Sequence, residues 1–108
     1  MKIVNRRDFL SLPENTIFAK YEPCFFEEIL IKCESLENDF IYQNIVDAID
    51  VNDSGSFSQA LTNAEQGESL FMDFFCESRD GMFDENQLFA VFQKEDVIKL
   101  IERLSLCL

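Results

Sequence analysis

An α+β domain, with a mainly antiparallel sheet of about five strands and two main helices packed on it, is the fold this sequence predicts. Three observations lead there. Short segments of β-branched and aromatic residues alternate with period two and are separated by turn residues. Two longer segments place apolar residues at helical spacing. The order is strand, strand, strand, helix, strand, strand, helix, and not the strict alternation that builds parallel sheets. At 108 residues the chain fits one domain, large enough to bury a core without staples.

Taken in order, Ile3 and Val4 start a short edge strand, and Asn5 is placed to cap a helical turn running to Leu12. Phe9, Leu10 and Leu12 form the buried side of that turn, and Pro13 stops it. Thr16 to Glu22 (TIFAKYE) has strand composition and is closed by Pro23. Glu28 to Glu34 (EILIKCE) sets Ile29, Ile31 and Cys33 against Leu30, Lys32 and Glu34, as a half-buried strand does. Ser35 to Asn38 is the hairpin connection. Asp39 to Val46 carries both periods and is read as a strand that gives way to a turn of helix by Asp47.

Asn52 to Ser56 (NDSGS) is the clearest break in the chain. Beyond it Ser56 is placed as an N-cap, with Phe57, Leu61 and Ala64 on one helix face, to about Gln66 and a stop at Gly67. Ser69 to Glu77 (SLFMDFFCE) has apolar residues on both faces and reads as a central strand. Arg79 to Asn86 contains the turn dipeptide Asp80-Gly81 and leads to a strand over Gln87 to Phe92, together a hairpin-like unit with an acidic tip. From Lys94 to Leu108, Val97, Ile101, Leu104 and Leu108 line one face of an amphipathic helix. Glu95 and Asp96 begin it and Arg103 lies near its end, in keeping with the helix dipole.

The charge pattern narrows the function. Nine basic and twenty-one acidic side chains give a formal charge of −12. No basic residue lies between Lys32 and Arg79, a stretch holding ten acids interleaved with apolar residues. It reads as a folded acidic surface and not a tail, because nearly half of all residues are hydrophobic, twelve of them Phe, with few Gly or Pro. Direct nucleic-acid binding is disfavoured, since phosphate contacts need Lys or Arg. Anionic membranes are disfavoured for the same reason. A basic protein or nucleoprotein complex is the partner such a charge attracts; the same charge also keeps a Phe-rich protein soluble. With no apolar leader and no spanning run, the expected location is the cytoplasm of a bacterial host, as a monomer or homodimer. There Cys24, Cys33, Cys76 and Cys107 are expected as free thiols.

Catalytic signatures are lacking. The chain has no His, no Gly-x-Ser-x-Gly elbow and no Gly-rich phosphate loop, so a non-enzyme without a cofactor is expected. Without His or a Cys-x-x-Cys pair no metal–thiolate site is expected. Asp50 to Ser58 (DVNDSGSFS) matches the first nine positions of an EF-hand loop, but Leu61 stands where the bidentate Glu belongs, so it reads as a polar turn into a helix cap. The acidic tip places Met82 and Phe83 among charged residues, either as core or as partner anchors. The candidate partner-binding set is Asp47, Asp50, Asp53, Asp73, Glu77, Asp80, Met82, Phe83, Asp84 and Glu85.

Three groups of segments, Arg6 to Pro13 (RRDFLSLP), Phe18 to Pro23 (FAKYEP), and Arg79 to Asp84 (RDGMFD) with Leu88 to Phe92 (LFAVF), resemble in style those of small proteins from phages and bacterial mobile elements. That resemblance implies anti-CRISPR or other anti-defence proteins, which act by binding and several of which imitate the charge of nucleic acid. It carries over no site residue. The leading expectation is therefore a non-enzymatic inhibitor of a basic nucleic-acid-handling protein. The alternatives are an immunity protein for a cognate basic toxin, which uses the same electrostatics, and an adaptor that dimerises through Phe25 and Phe26.

Overall fold

The computed structural model describes residues 1–51 and 53–108. Among the described residues, seven strands form one sheet: β1 (Lys2–Val4), β2 (Thr16–Glu22), β3 (Phe25–Phe26), β4 (Leu30–Leu36), β5 (Asp39–Asn44), β6 (Ser78–Arg79) and β7 (Leu88–Val91). The same residues form three helices: α1 (Arg6–Leu10), α2 (Ser54–Glu65) and α3 (Lys94–Ser105). The strand order is β1-β7-β2-β4-β5-β6, with β3 pairing to the end of β2, and every pairing is antiparallel. This is the α+β architecture expected, with more strands than five because β3 and β6 are two-residue additions. No helix among the described residues is long and apolar enough to cross a membrane.

The core is built around one short helix. Asn5 accepts the Asp8 N–H at 2.8 Å and so starts α1 as its sequence indicates. That turn lowers Phe9 onto the sheet, where its ring stacks on Phe89 at 3.9 Å and meets Phe18 and Phe40 at 4.6 and 4.9 Å. Phe18, Phe40 and Phe89 also lie 5.8 to 5.9 Å from one another. Strands β5 and β7 are separated by β4 and β2, so such proximity requires the sheet to curl around Phe9. All four rings are fully buried, each contributing about 1.5–3 kcal/mol of transfer free energy, and Leu30 and Val91 complete the cluster.

Charged residues are buried with this core. Asp39 accepts from Arg79 Nε and from the Gly81 N–H at 3.0 Å, and the Arg6 guanidinium stands 3.8 Å away. Arg6 also donates to the Asn38 carbonyl and lies over the Phe40 ring. Burial raises the Asp39 pKa, but the Arg79 and backbone hydrogen bonds, together with the Arg79 charge, outweigh it and hold the carboxyl below its ordinary range. Lys32, on the core side of β4, is 1 % exposed. Leu30 belongs to the core cluster and Lys32 lies over the Phe9 ring, so these two mark the inner face of β4, with Ile29 and Ile31 half-buried on the other.

Four expectations are corrected. Ser69–Glu77 is not a central strand: Met72 makes one isolated bridge to Ile49, and the Asp73 carboxylate then captures the Phe75 N–H at 2.9 Å, which turns the chain out of any ladder. The segments flanking Arg79–Asn86 do not form a hairpin-like unit, because β6 pairs with β5 while β7 pairs with β1 and β2, and the intervening segment crosses between them. The α2 N-cap is Asp53, which accepts the Ser56 N–H at 2.7 Å, and not Ser56; the Asp53 carboxylate starts the helix three residues earlier and leaves Ser56 within its first turn. Similarly, Ile45 to Asp47 forms a bend and turn but no helical turn.

Candidate functional site

The isolated bridge between Ile49 and Met72 is the local feature that assembles a surface from distant residues. The Asp50 N–H donates to the Phe71 carbonyl at 2.8 Å, and the Asp73 N–H donates to the Ala48 carbonyl at 2.7 Å. These bonds bring the 45–50 turn against the 71–75 loop. Ala48 and Ile49 are buried beneath it, while Asp47 and Asp50 remain exposed and Asp73 half-exposed. Burial pushes the Cys76 thiol upward, and the charges of Asp73 and Asp50 add to that shift, so both carboxylates stand near one sulfur.

Apolar side chains project from the same place. Phe71 and Phe75 are 78 % and 82 % exposed, and Phe74, Met72 and Val46 are also open to solvent. Because the Asp73 turn breaks the strand, these rings cannot alternate into a core. The result is a group of aromatic side chains edged by carboxylates, and Asp53 follows at the start of α2. The Ser56 backbone and side-chain hydrogen bonds hold the Asp53 carboxyl below its ordinary range.

The expected binding residues therefore divide. Asp47, Asp50 and Asp73 are brought together, with Asp53 following in the chain. Glu77 is exposed farther along, where its charge, second to burial, raises the pKa of the Cys33 thiol in β4. Asp80 does not belong to the surface. Its side chain is 2 % exposed, bonded to Lys20 Nζ and 3.8 Å from Arg6, so this carboxylate is spent inside the fold.

Met82, Phe83, Asp84 and Glu85 are all exposed, but they form a second location. Phe83 has φ +53°, uncommon for a bulky residue, and with Glu85 it lines an open groove of about 440 Å³ against Arg6, Arg7 and Leu10 of α1. The Asp84 carboxylate accepts the Asn86 N–H at 3.0 Å and shapes this turn. Phe25 and Phe26, beyond the end of β2, are likewise exposed beside Glu27 and Glu28.

Sequence reasoning placed the 71–75 aromatics in the interior. The signal that could have found them is Asp73 itself, a turn-forming acid in the middle of a supposed two-sided apolar strand. Burial removes Asp39 and Asp80 from the surface and also Arg6 and Lys32, two charges of each sign, so the −12 of the chain remains at the surface. Among the described residues no group of three or more His, Cys, Asp or Glu is arranged to hold a metal ion. The EF-hand-like reading places its third position on Asn52, which lies outside the described residues. Asp53, its fourth position, caps α2. In comparisons with protein-family models, curated proteins and solved structures, nothing matches this chain.

Proposed function

We propose that the protein is a non-enzymatic inhibitor that docks on a basic nucleic-acid-handling protein or complex through the surface made by Asp47, Asp50, Asp73 and the 71–75 loop. The observation that carries this reading is the exposure of Phe71 and Phe75 beside those carboxylates. Large aromatics in a protein-binding patch supply most of its affinity when a partner desolvates them, and the surrounding charges set approach rate and partner choice. A net charge of −12 draws a basic groove from a distance. It also opposes nucleic acid as the direct ligand, so the partner is the protein that normally holds the nucleic acid.

The test is capture from host lysate at low and moderate salt, followed by a competition assay with the captured complex and its nucleic acid. The reading expects a basic complex whose nucleic-acid binding falls as the protein is added, with capture lost as the screening length drops below about 10 Å. Phe75→Ala should weaken the complex by about 2 kcal/mol, roughly thirtyfold. Reversal of Asp47, Asp50 and Asp73 to Lys should weaken it further and flatten its salt dependence. A complex that keeps its affinity and salt slope in both variants overturns the reading.

A further inference from the structure

Beyond its first residue, Lys94, helix α3 separates its charges from its apolar side chains. Glu95, Asp96, Lys99, Glu102 and Arg103 occupy one arc, and Val97, Ile98, Ile101 and Leu104 lie on the other. Only part of the apolar arc is used within the molecule. Val97 and Leu100 are half-buried, but Ile98, Ile101 and Leu104 remain 45 %, 59 % and 56 % exposed. Their exposure is ordered: Ile101, Leu104, Ser105 and Leu108 line a shallow groove of about 240 Å³. Those positions are i, i+3, i+4 and i+7, the spacing of the four-residue hole that receives one side chain from a facing helix in knobs-into-holes packing, with Leu108 supplied by the turn that follows α3.

The charge of α3 says which helix that is. Three basic residues, Lys94, Lys99 and Arg103, balance Glu95, Asp96 and Glu102, so α3 is neutral in a chain of −12. A basic partner is drawn to the acidic surface instead. A second copy, itself at −12, meets least repulsion at a neutral element, and the seam of Val97, Ile101 and Leu104, spaced four and three apart, matches its own hole.

We propose that α3 is a self-association element: two copies pair about a two-fold axis with their α3 helices antiparallel, Ile101 and Leu104 of each entering the hole of the other. In such an isologous contact the opposed helix dipoles also favour the antiparallel arrangement. The helix is only about 18 Å long, so the contact is smaller than the roughly 800 Å² per partner of a standard interface. Pairing is therefore reversible and depends on concentration. The proposal is independent of the acidic surface and its partner.

Sedimentation equilibrium of the full chain over a wide concentration range tests it. The mass should rise from the 12.6 kDa monomer toward twice that value. Added salt should strengthen the association, because screening removes the repulsion between like-charged copies, which is opposite to its effect on binding through the acidic surface. Ile101→Glu combined with Leu104→Glu should hold the chain monomeric while it stays folded, both side chains being more than half exposed. Ile101→Gln, which is uncharged and a somewhat better helix former than Ile, should weaken pairing at least about tenfold. Phe71→Ala with Phe75→Ala should leave pairing unchanged. A monomeric mass at every concentration and salt, or pairing undiminished in Ile101→Gln and the double Glu variant, overturns the proposal.

Discussion

Lys32 sits on the core side of β4, with Nζ donating to the Cys33 carbonyl at 3.1 Å and standing 5.8 Å from the centre of the Phe9 ring. No carboxylate among the described residues forms an ion pair with it. Burial lowers its pKa, and the more distant charge of Glu14 only partly offsets that. A lysine whose folded pKa lies below its unfolded value of 10.5 binds fewer protons folded than unfolded between the two, so stability rises with pH across that interval. Lys32→Met is therefore expected to stabilise the protein near neutral pH by about 1–2 kcal/mol, with the gain shrinking as pH approaches 10.5, as thermal melts across that range would record. Asp39 has the opposite consequence. Its folded pKa is held below the unfolded 3.8, so its contribution is present above that value and is lost as pH falls through the folded one. Asp39→Ala should cost about 3–5 kcal/mol at neutral pH, because it strands the buried Arg6 charge and removes the acceptor for Gly81. It should also make the acid limb of a melting-temperature profile shallower below pH 3.8. An unchanged acid limb would show that other carboxylates govern it.

At the scale of elements, α1 and the 71–75 loop carry the same residue type to opposite ends. Phe9→Ala should cost about 3–5 kcal/mol, since that ring is fully buried among three others. Phe71→Ala and Phe75→Ala should each stay within about 0.5 kcal/mol of the parent in denaturant unfolding; a large loss would mean that these rings pack in the core. Elements whose pattern is strictly local were legible in the sequence. Thr16–Glu22 forms β2 between the expected bounds, Asn5 caps α1, Gly67 follows α2 with φ +105°, and Lys94 opens α3. The Ser69–Glu77 stretch was not legible, because its period-two pattern is genuine but the Asp73 side chain diverts the backbone before a ladder can form. The crossing between β6 and β7 was missed for a different reason. Asp80-Gly81 signals a turn, but the pattern of a turn does not say which strands it joins.

For the whole molecule the excess of twelve negative charges acts on everything at once. Raising salt from low to physiological strength should increase the melting temperature, because it screens self-repulsion in the compact state. The same change should weaken capture of a basic partner. If salt leaves both stability and capture unmoved, the surface charges are spread too thinly to act as a field.

Composition, charge and local periodicity, readable from the sequence, determined the α+β class, the helices α1, α2 and α3, most of the strands and the acidic character of the surface. These depend on residues two to four apart, whose relation the backbone geometry sets directly. Tertiary structure alone decided which charges face inward and which aromatics face outward. Lys20 meets Asp80 across sixty positions, and Arg6 meets Asn38 across thirty-two. Asp80 thus became an internal ion partner, while Asp47, Asp50 and Asp73 gathered beside Phe71 and Phe75 through the bridge of Ile49 to Met72. Burial is a property of which strands pair and how far the sheet curls around Phe9, and no local spacing encodes it.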